Sequence, residues 1–246
     1  MSVTQVRTHP DVHALCFTCC LLVTSLHVPS CTRNHTDVVF YIHDGYTFSR
    51  AEQRAIRTVA EAAARDAKLL LTDLPSRLIV RVNPGKKVIE EIGSNSDHSA
   101  PNVVYWTVDP SRSAGVTGTA HAHLRATLFF HFHRLARLKY APDVTLMDHV
   151  ISLGMATAFE RDVGGRTYPW GQYPEDVAAW VTELMALPPT ENPDRWMSSR
   201  HPDGRRWVGM RAGTYLVDQA TYASRKSPAE LVSVPSAEVI QLALRR

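Results

Sequence analysis

The pattern of apolar and polar positions changes character partway along the chain. Residues 37–43 (DVVFYIH), 77–82 (RLIVRV) and 102–108 (NVVYWTV) are short runs rich in β-branched and aromatic side chains, and each reads as a strand. Between the first two runs, Ala55, Ile56, Val59, Ala60, Ala63 and Ala67 recur at helical spacing and predict a helix over 51–70. Ser49-Arg50-Ala51-Glu52 marks its start as a capping box: the serine oxygen accepts from an orphan N–H and the glutamate reaches back. Pro84-Gly85 and residues 93–99 are expected as loops.

From about Val116 onward only helices and loops are expected. One helix covers 119–139 and runs out before Pro142. Asp143 is the expected cap of the next, which reaches about Asp162 ahead of Gly164-Gly165. Pro174 opens a helix over 175–187, and further helical segments cover 205–226, 228–232 and 236–244. Strands around one long helix, followed by helices alone, predict the α+β class: a small N-terminal β-sheet with one long helix, then a mainly helical half. The expected organisation is an N-terminal extension over 1–36 and a single domain over 37–246.

The first 36 residues stand apart. An apolar run over 14–26 follows Arg7, His9 and His13, and small residues come after it, as in a loosely built secretory signal. As a helix it would be about 20 Å long, too short to span a bilayer comfortably. Asp11 and Pro29 fit a signal poorly. Export through this segment and a cytoplasmic protein with a stray extension both stay open. All four cysteines (Cys16, Cys19, Cys20, Cys31) lie here, so the main domain uses neither a disulfide nor a thiolate metal site. Asn34-His35-Thr36 fits the glycosylation pattern, which arises often by chance.

Composition narrows the function classes. With 246 residues, 44% apolar and 21% charged, the chain is an ordinary globular mixture, which excludes intrinsic disorder. No run supplies about 18 uncharged apolar residues, so no transmembrane helix is expected. A formal charge of +3 is too mild to argue for nucleic acid, and the aromatic residues are not interleaved with basic ones as such a platform needs. A nucleophile elbow, a P-loop and a dinucleotide fingerprint are all missing. The 12 histidines exceed the usual share. Arg200, Arg205, Arg206 and Arg211 surround His201-Pro202-Asp203-Gly204, where a solvated turn is the simpler reading than an anion site.

The chemistry-bearing stretch is Thr127-Leu128-Phe129-Phe130-His131-Phe132-His133-Arg134-Leu135-Ala136-Arg137, followed by Asp148-His149 and Leu153-Gly154-Met155-Ala156. Two successive helices can set such segments face to face. In zinc peptidases one helix carries two histidines at i and i+4 with a glutamate beside the first. The next helix adds a third ligand, and the glutamate takes the proton of the metal-bound water.

On these residues the chain resembles a family of bacterial predicted zinc-dependent proteases, catalogued mainly as a domain of unknown function. The family pattern is roughly T-L-x-H-E-x-x-H-x-x-R, then a helix with E-G-[LM]-A, then P-W-G, and near the end a G-Y-x-x-G-Y-L-V-like helix. Matching positions are Thr127-Leu128, Arg137, Gly154-Met155-Ala156, Pro169-Trp170-Gly171, Gly209, and Gly213-Thr214-Tyr215-Leu216-Val217. Residues 88–93 and the strand ending in Asp109-Pro110 also fit, so the resemblance covers about 37–244. It implies a zincin-like fold and a zinc peptidase activity.

The departures bear on that activity. In the ungapped register the first histidine of the motif falls on Phe130, its glutamate on His131, its second histidine on Arg134 and the third ligand on Leu153. Sliding by one residue rescues only His133. Phenylalanine and leucine offer no donor, and arginine stays protonated. His131 and His149 are the only candidates for a rebuilt metal site, with Asp148 as a conceivable third ligand. His123 sits about 12 Å along the helix from His131, and His133 points about 200° away from it. Phe130 and Leu153 are expected to fill the former metal cavity, with Arg134 reaching Glu160 or solvent.

Three readings follow. One is a degenerate metallopeptidase-like protein without peptidase activity, a pseudoenzyme with a peptide-binding or regulatory role and no cofactor. Another is an active metal-dependent peptidase or hydrolase with zinc at His131 and His149. The third is a folded product with no activity. A peptide or protein is the expected partner class.

Overall fold

The computed structural model describes residues 35–43 and 45–245. The apolar run over 14–26, the four cysteines and Asn34 lie outside the described residues.

Strand β1 (His35–Phe40) leads into helix α1 (Arg50–Leu70), which returns to strand β2 (Arg77–Pro84). The α1 start is the capping box expected: Ser49 Oγ accepts from Glu52 N at 3.3 Å, and Glu52 Oε2 accepts from Ser49 N at 2.7 Å. Tyr46 donates its hydroxyl to the other Glu52 oxygen at 2.7 Å, which ties the loop to the helix start. Ile56, Ala60, Ala63, Ala64 and Ala67 form the buried face. Four of these five are alanines, so α1 lies close against its neighbours and still excludes water.

Strand β2 alternates as a half-buried strand should, with Leu78, Val80 and Val82 fully buried. Strand β3 (Ser94–Ala100) and strand β4 (Val103–Val108) complete a sheet of order β1-β2-β4-β3. The pairs β1–β2 and β2–β4 are parallel, and β3 is an antiparallel edge strand on β4. Residues 93–99, expected as a loop, are thus mostly strand. The sequence SNSDHSA has no β-branched or aromatic residue, and its pairing comes from the tight turn at Gly93 (φ +66°) that folds it back on β4.

The rest is helical. Helix α2 (Gly115–Thr119) passes through a π-turn at Ala120–Leu124 into helix α3 (Arg125–Arg137). Helix α4 (Leu146–Gly164) is capped by Thr145, not Asp143: Thr145 Oγ1 accepts from Asp148 N at 3.2 Å, and Asp148 Oδ2 accepts from Thr145 N at 2.9 Å. Threonine at the turn competes successfully because an acidic residue stands three positions on. Gly165 closes α4 in the left-handed conformation. Helices α5 (Val177–Met185), α6 (Pro193–Met197), α7 (Val208–Ser224) and α8 (Ser236–Leu244) follow. Residues 228–232 form turns instead of the helix expected there.

Two main cores result. One lies between the sheet, α1 and α3, and includes Trp106, Phe129, Phe132 and Phe159. The other joins α4, α5, α7 and α8 around Val150, Ile151, Met155 and Leu216. Helix α4 faces both, which is why it is buried nearly all round. The architecture is α+β, a small N-terminal sheet with one long helix followed by a helical half. Among the described residues no helix is long and apolar enough to cross a membrane.

Candidate functional site

Helices α3 and α4 pack against one another, and their residues Thr127, Phe130 and Glu160 open on a cleft of about 550 Å³. The opposite wall comes from residues 88–92, which link β2 to β3, and from Asn95 and Ser96 of β3. Trp170, Trp207, Met197 and Met210 supply further apolar wall, with Arg200 and Arg206 at the mouth. The 3₁₀ turn Pro169–Gly171 presents Trp170 to the cleft. Trp207, 4% exposed, sits just ahead of α7 at φ +52°. A bulky residue in the left-handed region is strained, and its surroundings hold it there. Its ring packs at 5.8 Å from Trp170, and the Arg206 guanidinium lies 3.8 Å above it. Arg206 also pairs with Glu91 across the cleft mouth at 2.8 Å.

Glu160 is the polar group at the base of this cleft. It is 3% exposed, and Trp170 Nε1 donates to its Oε2 at 2.9 Å. No cation pairs with it among the described residues. Burial pushes its carboxyl up to about 8, against a smaller downward pull from the Trp170 hydrogen bond. At neutral pH it is therefore a carboxylic acid, able to donate as well as accept. Tyr168 stacks on Trp170 at 4.5 Å, and its hydroxyl meets His123 Nδ1 at 3.0 Å. Sequence reasoning had placed Glu160 only as a possible partner for Arg134.

Phe130, His131, Arg134 and Leu153, singled out from the sequence, have separate surroundings. Phe130 lines the cleft and its ring lies edge-on to His131 at 5.2 Å. His131 points inward and is 2% exposed. Its ring sits 5.3 Å from that of His98 on β3, and neither of its nitrogens has a protein hydrogen-bond partner among the described residues. Burial, then His98 and Arg134, push its pKa well below the ordinary value, so it is neutral. Arg134 binds Asp143 at 2.8 Å, not Glu160 or solvent as expected. The carboxylate is only 7% exposed and waits at the α3–α4 turn, which explains why arginine turns that way. Leu153 is 8% exposed on α4.

The other histidines find partners of their own. His149 Nδ1 lies 3.7 Å from Asp143 Oδ2, while the ring contacts of His131 are His98 and Phe130. Asp148 is committed to the Thr145 cap. His133 meets the Pro228 carbonyl at 3.0 Å, a buried structural contact. His98 was missed by sequence reasoning because its segment read as loop. Among the described residues no group of three or more His, Cys, Asp or Glu could hold a metal ion. Of the positions singled out from the sequence, Phe130 and Leu153 offer no lone pair, and the guanidinium of Arg134 is bound to its own carboxylate.

In the basic segment near His201, Arg205 is the arginine neutralised most fully. Arg205 reaches Glu183 at 2.7 Å and Asp203 at 2.6 Å, and His201 Nδ1 lies 2.8 Å from Asp203. Arg211 donates to the Pro169 carbonyl at 3.0 Å and so steadies the turn that carries Trp170.

No curated protein and no solved structure matches the chain. A family model does, over residues 53–241, a span that contains the α3–α4 pair, the Pro169–Gly171 turn and both tryptophans of the cleft. By that match the chain belongs to the family described as Predicted Zn-dependent protease (DUF2268).

Proposed function

We propose that this protein is a family member without metal-dependent peptidase chemistry, and that its cleft serves to bind a peptide. The observation that carries this reading is the occupancy of the motif positions. Phe130, Arg134 and Leu153 stand where the family pattern has its metal ligands, and His131 stands where it has the general base. A neutral histidine buried at 2% exposure cannot replace a glutamate that takes a proton from water in an open site. Arg134, paired with Asp143, would oppose a dication placed between α3 and α4. The framework survives this loss: α3, α4, the Pro169–Gly171 turn and the start of α7 still enclose a cleft. Fold likeness alone does not carry activity.

A second reading rests on a separate observation. The two ring nitrogens of His131 lack protein partners, and buried polar atoms ordinarily have them. An active hydrolase with a remodelled metal site at His131 and His149 would account for that. Elemental mass spectrometry of the purified, dialysed protein separates the two, run beside the His131→Ala/His149→Ala variant and an assay on denatured casein. We expect far less than one zinc per chain and no chelator-sensitive cleavage. Near one metal per chain, lost in the double variant together with cleavage, would overturn the first reading in favour of the second.

A further inference from the structure

We propose that Glu160 is the specificity-determining group of the cleft, donating a hydrogen bond to an uncharged carbonyl of a ligand whose apolar side chain packs against Trp170, Trp207 and Phe130. This rests on the reading of the cleft as a binding site and names what it selects. It does not depend on whether a metal binds elsewhere.

The geometry begins with the carboxyl. Glu160 is 3% exposed, lines the cleft and has one oxygen fixed by the indole N–H of Trp170 at 2.9 Å. Its second oxygen has no protein partner among the described residues. That oxygen lies on the wall of the cleft, where a ligand that enters can pair with it. The wall chemistry says what fills the cleft. Trp170 and Trp207 meet at 5.8 Å, Phe130 of α3 lines the same cleft, and Met197 and Met210 add adaptable apolar surface. About 550 Å³ holds one large side chain with its adjoining backbone. Trp207 is kept in the left-handed region with its ring on this wall, strain of the kind that persists where the surroundings fix a side chain for use.

Charge then decides which acceptor is favoured. A carboxylate ligand beside Glu160 would face a group that becomes a like charge when it ionises. At the mouth, Arg206 is already paired with Glu91, and Glu90 offsets the charge of Arg200, so no net positive charge favours an anion there. An amide carbonyl carries no such conflict. The acid form of Glu160 donates to it, and the ionised form cannot, because a carboxylate only accepts.

The neighbours of Glu160 do not blur this switch. From the turn ahead of Trp170, Tyr168 faces it, its phenol held protonated above its ordinary range by burial and by Glu160 itself. From the π-turn before α3, His123 meets Tyr168 and is pushed below its ordinary value by burial and then by Arg166. Neither changes charge between pH 7 and about 9.5. Helix α3 itself contributes the uncharged Thr127 and Phe130, and α7 contributes Met210.

The test uses the full chain and N-acetyl-phenylalanine amide as probe, followed by the fluorescence of the cleft tryptophans. We expect saturable binding at pH 6.5 that weakens more than tenfold by about pH 9.5, since affinity for a protonated donor falls about tenfold per pH unit above its pKa. Glu160→Gln keeps a donor and an acceptor in the same shape, so it should bind the probe equally at both pH values. N-acetyl-phenylalanine, the free acid, should lose more affinity than the amide between pH 6.5 and about 9.5, because its carboxylate then meets an ionised Glu160. Binding that ignores both pH and the Glu160→Gln change would overturn the role of Glu160 while leaving the cleft a binding site. Absence of saturable binding in wild type and Glu160→Gln alike, with both folded by circular dichroism, would overturn the proposed ligand class. Metal content, measured separately, bears on the loss of peptidase chemistry alone.

Discussion

Arg137 is fully buried, yet among the described residues no carboxylate binds it directly. Its guanidinium instead gathers the end of the chain: one nitrogen donates to the Val232 and Val234 carbonyls at 3.2 and 2.9 Å, and another to Ser236 Oγ at 2.9 Å. Two of these acceptors lie just before α8 and the third is on its first residue, so one side chain on α3 fixes how the last helix docks. Arg137→Met would fill most of the volume but leave the acceptors without donors. We expect a loss of about 3 kcal/mol in urea unfolding, the cost of stranding buried polar groups. Arg137→Lys should lose nearly as much, because an ammonium cannot reach all three acceptors from one position. A loss under about 0.5 kcal/mol in either variant would show that water or a shift of residues 232–236 replaces the fork. The sequence showed Arg137 only as a motif match with no partner attached to it. Its partners lie about a hundred positions away, and no local pattern encodes such a distance. Glu160 was hidden for the same reason: its environment is made by Trp170 and the cleft walls, not by its neighbours on α4.

Helices show the opposite side of legibility. The start of α1 was readable from four residues, because a capping box and an alanine-rich face are local features. Strand β3 was not readable, because an edge strand of serine, asparagine and aspartate has no apolar alternation, and β4 supplies its pairing. The contact between α4 and α7 is another product of tertiary structure. A Cβ built on Gly154 would overlap the carbonyl group of Gly213, and one built on Gly213 would overlap the Val150 carbonyl oxygen. The two helices therefore touch backbone to backbone, and no side chain exists to yield. Gly154 stands one position after Leu153, so this contact also sets the height at which α4 presents Leu153 and Glu160. Gly154→Ala and Gly213→Ala should each cost about 3 kcal/mol, at the upper end for overpacking, despite the helix propensity that alanine adds. Chemical denaturation of each variant measures this. A neutral or stabilising effect at either site would mean that the helices can separate by a few tenths of an ångström without penalty.

At the scale of the whole molecule, the buried and half-buried histidines and the buried Glu160 carboxyl pull stability in opposite directions with pH. His98 and His133 are lowered to about 4, the first by burial and then Arg134, the second chiefly by burial. His131 is lowered well below its ordinary value by the same burial. The unfolded chain binds protons at these histidines from pH 6.5 downward while the folded chain does not, so their contribution is lost as pH falls from 6.5 toward 4. Glu160 behaves in the reverse sense. Its folded pKa of about 8 exceeds the ordinary 4.5, so the folded chain holds a proton that the unfolded chain has released. Its contribution is lost as pH rises from 4.5 through about 8. His123, lowered by burial and then by Arg166, acts in the same sense, so below pH 6.5 the histidines outweigh one carboxyl, and above it Glu160 acts without them. The melting temperature should therefore peak near pH 6.5, fall steeply toward pH 5 and fall more gently toward pH 8.5. Glu160→Gln should remove the alkaline decline and leave the acid limb in place, read by calorimetry across that range. A wild-type melting temperature that stays level or rises from pH 6.5 to 8.5 would show that Glu160 is ionised in the folded protein at neutral pH, and the donor role assigned to it in the cleft would fall with that result.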